Sequence, residues 1–132
     1  MNVLVNLFVK SIAAELPLPS PVVEIGSFQV AGQEHMANLR PYFPGREYIG
    51  VDMRAGLGVD RVEDVHHLSF GNTSVGTILM CATLEHVADP ARALAEVRRV
   101  LRPDGVLVLS TPMYSRPGKY GRRLAMCSCP AT

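Results

Sequence analysis

The residues best suited to chemistry begin in the stretch VVEIGSFQVAGQE, residues 22–34. Gly26 directly follows an apolar run, where a chain leaving a strand turns sharply and its backbone can pass close to a ligand. Glu24 sits one residue before the end of that run. Burying it is costly unless donors meet it, and either a ligand amine or loop amides would serve. Asp52 closes a second apolar run, EYIGVD. A carboxylate there can accept from both hydroxyls of a ribose; it can equally cap a helix or lie solvated in a loop. Met53, next in line, offers an apolar face to a planar base. Asp64, in RVED, can accept from an exocyclic amine with the Val65 backbone beside it, or be one surface acid among Asp60, Glu63 and Asp64. In CATLEHVADP, His86 follows a strand end. Histidine titrates near neutrality, which suits a base or a substrate ligand, and the same residue can simply cap or pack the next helix.

No residue set has metal-ligand spacing. His66 and His67 are adjacent, so in an extended segment their side chains point opposite ways. Cys127 and Cys129 lack partner ligands, and with Cys81 they make no disulfide framework. A net charge of +1 gives no electrostatic case for nucleic acid or an anionic membrane, and eight scattered Tyr and Phe with no Trp suggest no base-stacking platform. The N-terminal run MNVLVNLFVKSIAAELPLPSP has no basic leader and is interrupted by Asn6, Lys10 and Glu15. It reads as neither signal peptide nor membrane span, so a reducing cytoplasm is expected.

The elements that position these residues follow from periodicity. Val3, Leu4, Leu7, Phe8, Ile12 and Leu16 fall at helical spacing, and Pro17 ends that helix. Strands are expected over 22–25, 47–52, 61–64, 75–81 and 106–111. The run 75–81, VGTILMC, reads as buried on both faces. Helices are expected over about 33–39 and 90–101, the second with Asp89 as N-cap, Pro90 in its first turn and arginines near its C-terminal end. RPDG turns the chain into the last strand. The division is an N-terminal helix and Pro-rich link over 1–19, a core over 20–112 and an irregular tail over 113–132. Strands alternating with helices imply an α/β domain with a parallel sheet, whose ligands bind beyond the carboxyl ends of the strands.

VVEIGS, YIGVDM and TLEHVADPARALAEVRRVLRPDGVLVLSTP together resemble class I S-adenosylmethionine-dependent methyltransferases, the last run being similar to the type 11 methyltransferase domain. The resemblance covers about residues 20–112. It implies a Rossmann-like, doubly wound, three-layer α/β/α fold whose parallel sheet has the order 3-2-1-4-5. S-adenosyl-L-methionine would lie across the ends of strands 1, 2 and 4. Glu24, Gly26 and Ser27 would meet its methionine part, Asp52 its ribose, and Met53, Asp64 and Val65 its adenine. Cys81 and Ala82 would offer backbone near its amino group. The implied activity is methyl transfer to a small-molecule acceptor, with His86 as the base where the acceptor must lose a proton.

Two departures stand out. The family loop reads acidic-x-Gly-x-Gly-x-Gly, and Phe28 occupies the second glycine's place, where its ring either blocks the cofactor space or turns away. Complete members continue past the fifth strand into a further helix and an antiparallel strand pair. The twenty residues after Pro112 are too short for these, so a truncated chain with an exposed fifth-strand edge is expected. That edge motivates an alternative, a catalytically degenerate module that self-associates or binds a partner there. A nicotinamide-dependent oxidoreductase shares the strand, glycine turn and later acid, but Gly26-x-Phe28 lacks its second glycine and TLEHV has no place in its pattern.

Overall fold

The computed structural model describes residues 3–113 and 123–130. The first helix, α1, spans Val3–Glu15; after the PLPSP link come strand β1 (Val22–Ile25), a short helix α2 (Glu34–Ala37) and a 3-10 turn over Arg40–Tyr42. Strands β2 (Tyr48–Asp52), β3 (Arg61–Val62) and β4 (Val75–Cys81) follow. A second 3-10 turn, Leu84–His86, leads into helix α3 (Pro90–Val100), then β5 (Leu101–Met113) and β6 (Arg123–Pro130).

One sheet carries the order β3-β2-β1-β4-β5-β6. Its first five strands are parallel, so the expected 3-2-1-4-5 order holds. Successive residues of β1 face opposite sides and feed two separate cores. Val23 and Ile25 pack with Ile78, Met80 and the apolar stripe of α3, Ala93, Val97 and Val100. Val22 packs on the other face with Val5 and Val9 of α1, and with Leu39, Phe43, Leu79 and Val108. Helix, sheet and helix thus form three layers, and β4, at the centre, is buried along its whole length.

Local signals place α3. The Asp89 side chain accepts from the Arg92 N–H at 3.1 Å, a true N-cap, and Pro90 occupies the first turn. The RPDG segment leaves the ladder rather than ending the strand. Val75 pairs with Leu101 and Thr77 with Val106, so residues 102–105 bulge out between the two pairings.

Three expectations are corrected. The tail is not irregular throughout: β6 pairs antiparallel with β5 from Val106↔Pro130 to Met113↔Arg123. The outer edge of β5 is therefore occupied, and the partner-binding reading loses its free fifth-strand edge. The backbone groups of an edge strand attract any chain segment that can extend beside them, whereas RLAMCSCP shows no alternation to announce a strand. Residues 114–122 of the tail lie outside the described residues. Second, α1 is rotated from its expected face. Val5, Asn6 and Val9 are buried, whereas Leu4 and Leu7 lie 64% and 50% exposed. Asn6 decides this: its amide donates to Met36 O at 2.8 Å and its carbonyl accepts from the Tyr42 hydroxyl at 2.5 Å. Turning it outward would strand both bonds. Third, the third strand ends at Val62 rather than residue 64. Asp64 instead caps its own turn, accepting from the His66 N–H at 2.9 Å.

Candidate functional site

The carboxyl ends of β1, β2 and β4 meet at one edge of the sheet. Gly26 leaves β1 with φ +81°, and its N–H and that of Ser27 both donate to Val51 O, at 2.9 and 3.1 Å. A Cβ on Gly26 would run into the Thr83 side chain, so the position needs glycine for conformation and for space alike. The Thr83 hydroxyl lies 3.1 Å from both Ile25 O and Cys81 O and can donate to either, tying the ends of β1 and β4 together. Ala82 next to it takes φ +52°, and its N–H donates to Ser110 O at 2.9 Å. Ser27 is buried with its Oγ turned toward Gly50, and that oxygen has no hydrogen-bond partner among the described residues.

Glu24 is 3% exposed, and its donor is neither a loop amide nor a ligand but the Tyr48 hydroxyl, 2.5 Å from Oε2. Burial pushes the Glu24 carboxyl up to about 7, against the pull of that hydrogen bond and of the Arg40 charge. Burial likewise raises the Tyr48 phenol, and it pushes the Cys81 thiol up to about 12, with the Glu24 carboxylate adding to both. Arg40 buttresses the pair from behind. Its guanidinium lies 4.7 Å from the centre of the Tyr48 ring, donates to Tyr48 O at 2.9 Å and pairs with Asp60 at 2.5 Å.

At the end of β2 the Asp52 carboxylate is gripped from two sides by main chain. Oδ2 accepts from the Phe28 N–H at 3.2 Å and Oδ1 from the Arg54 N–H at 2.9 Å. The Phe28 ring lies against Gly56, which could carry no Cβ there, and the Arg54 guanidinium stacks 4.1 Å from the ring centre. Phe28 therefore walls the β2 side of the loop. Asp64 holds His66, whose Nδ1 lies 2.6 Å from Oδ1 while its Nε2 accepts from the Asp89 N–H at 3.2 Å. The two hydrogen bonds His66 gives Asp64 hold that carboxyl below its ordinary range. His67 turns to Arg92, 2.6 Å away.

These elements surround a cavity of about 970 Å³, within the range of small-molecule sites. Every residue singled out from sequence borders it. Glu24, Gly26 and Ser27 come from β1 and its loop, Asp52 and Met53 from the end of β2, and Asp64 and Val65 from the turn after β3. Cys81 and Ala82 come from the end of β4, and His86 from the turn beyond. The cavity combines carboxylates with apolar walls, a fit for a small molecule that has both polar and apolar parts. Met53 stands at the rim, 67% exposed. The His86 side chain is 80% exposed, with Nε2 3.9 Å from Glu85. Arg54 and Thr83, which carry no role in the sequence reading, also border the cavity, as does His66, which enters that reading only as an unsuitable metal ligand; Tyr48 lies behind it. Arg54 and His66 each lie two residues beyond a chosen acid, and Thr83 follows a strand end; nothing in the spacing marks Tyr48.

A family model described as a methyltransferase domain matches residues 23–109. The chain is 22% identical to the solved structure of a 1,6-didemethyltoxoflavin-N1-methyltransferase from Burkholderia thailandensis, which holds S-adenosylhomocysteine. That match has a TM-score of 0.64 and covers 92% of this chain and 56% of that one. A structure described as a putative methyltransferase from Bacillus halodurans C-125 matches at 19% identity and a TM-score of 0.63, over 81% of this chain and 50% of that one. At these identities the likeness is one of fold, and the chain spans about half the length of those structures. A curated protein in a transposon of Streptomyces fradiae, of uncharacterized function, is 51% identical over 49 residues, 37% of this chain and 14% of that protein. Among the described residues no helix is long and apolar enough to cross a membrane.

Proposed function

Because the chain belongs to the methyltransferase domain family, we propose that it binds S-adenosyl-L-methionine in this cavity and serves methyl transfer to a small-molecule acceptor. The observation that carries the reading is convergence: ten residues chosen from four separate segments border a single cavity. In it, Gly26 and Ser27 line the methionine end above the Glu24 carboxyl, and Cys81 and Ala82 bring backbone to the amino group. Asp52 accepts from the ribose hydroxyls, a carboxylate having lone pairs left beyond the two amides it already holds. Met53 and Val65 flank the adenine, with Asp64 at its edge.

When bound, the cofactor would supply an electrophilic methyl group on a sulfonium, open to in-line attack by the acceptor atom as the carbon–sulfur bond breaks and its electron pair stays with the sulfur. The protein's part is positioning, and an effective concentration of reactants is a large share of such catalysis. His86, exposed on the rim, is placed to take a proton from an acceptor that must lose one. Calorimetric titration of the folded chain with S-adenosylhomocysteine tests the binding. One equivalent is expected to bind, and Asp52→Asn to weaken it at least about tenfold, as for a hydrogen bond to a charged group. Folded wild-type protein that evolves no heat sinks the reading.

A further inference from the structure

We propose that Phe28 and Arg54 are a positioning pair that holds the Asp52 carboxylate for the ribose hydroxyls, an inference that rests on the cofactor reading above. The family loop has glycine at position 28, and a side chain there is expected to intrude on the ligand. Here the amide is kept and the ring is diverted. The Phe28 N–H donates to Asp52 Oδ2 at 3.2 Å, and the ring packs against Gly56 in the loop after β2. On that ring rests the Arg54 guanidinium, 4.1 Å from its centre, with Nε 3.7 Å from Asp52 Oδ1. The Arg54 N–H donates to the same Oδ1 at 2.9 Å.

The arrangement closes a small circuit: Phe28 amide, Asp52 carboxylate, Arg54, Phe28 ring. The Arg54 side chain is 70% exposed, and among the described residues its only partners are Asp52 and Phe28. A long exposed side chain sweeps many rotamers unless something stops it. The ring provides that stop, keeping the positive charge beside Oδ1 and the carboxylate in one orientation. With both oxygens fixed from the main chain, their remaining lone pairs point in set directions, which suits two neighbouring hydroxyls of one sugar. A glycine at 28 would keep the amide bond and lose the stop. Phe28 thus replaces close backbone approach with a side-wall that aligns the acid.

The test compares S-adenosylhomocysteine with its 2′,3′-dideoxyribose analogue, titrated calorimetrically into wild type, Phe28→Leu, Arg54→Met and the double variant. Each single variant is expected to weaken S-adenosylhomocysteine about two- to fivefold, the equivalent of an exposed cation–π contact. Affinity for the dideoxy analogue should be unchanged, because it has no hydroxyl for Asp52 to hold. The double variant should be no weaker than the poorer single, since the two residues act as one unit. Arg54→Met removes only an exposed side chain and keeps the test alive should Phe28→Leu fold poorly. Equal weakening toward both ligands, or no weakening, overturns the pairing while leaving the cofactor reading intact. Wild type that binds neither ligand overturns both.

Discussion

Glu24→Gln isolates the most consequential electrostatic feature of the fold. The carboxyl is buried and accepts from the Tyr48 hydroxyl, and burial carries it from an ordinary value near 4.5 to about 7. The folded chain therefore holds this proton more tightly than the unfolded chain does. Stability from the shift is fully present below about pH 4.5 and is lost as pH rises through about 7. At about 1.4 kcal/mol per pKa unit the whole shift is worth roughly 3 kcal/mol, a large fraction of the 5–15 kcal/mol typical of a domain. Glutamine keeps an acceptor for Tyr48 and cannot ionise. Urea unfolding of both proteins at intervals from pH 5 to pH 8 measures the effect. Wild type is expected to lose about 2–3 kcal/mol more than Glu24→Gln across that range, other titrating groups cancelling between the two. Parallel stability curves would refute the reasoning, because they would mean that Glu24 ionises in the fold as easily as in water.

Gly26→Ala forces a side chain into left-handed backbone and against Thr83, and should cost at least about 1 kcal/mol in chemical unfolding, with cofactor affinity falling alongside. Arg99→Ala cuts the bonds that tie α3 to Leu68 O, Phe70 O and Asn72, together with the one within the helix to Glu96, whose carboxyl Arg99 draws down to about 2. It should lower the thermal midpoint, and Arg99→Lys should not restore it, since one ammonium cannot reach the four partners a planar guanidinium spans.

How far the fold could be read in advance depends on the range of the interaction concerned. Asp89 and Pro90 announced the start of α3 because a cap is a bond between residues three apart. VVEI and VGTILMC announced strands because both faces of a central parallel strand are covered, leaving an unbroken apolar run. The exposed face of α1 was misjudged because Asn6 is polar by type and buried by partnership: Met36 and Tyr42 lie 30 and 36 residues away. β6 was missed for a related reason, since its strand character comes from the open edge of β5 rather than from its own pattern.

The site divides in the same way. Gly26, Asp52 and the turn after β4 were evident from residue type at the end of an apolar run, for parallel strands all deliver their carboxyl ends to one edge. Residue type and periodicity thus pointed to the α/β class and to the acids that border the cavity. It could not say that Glu24 would find its donor in Tyr48 or that Phe28 would turn onto Gly56 beneath Arg54. Those outcomes were settled by packing, because each pairs groups more than twenty residues apart that meet only after β1 and β2 lie side by side.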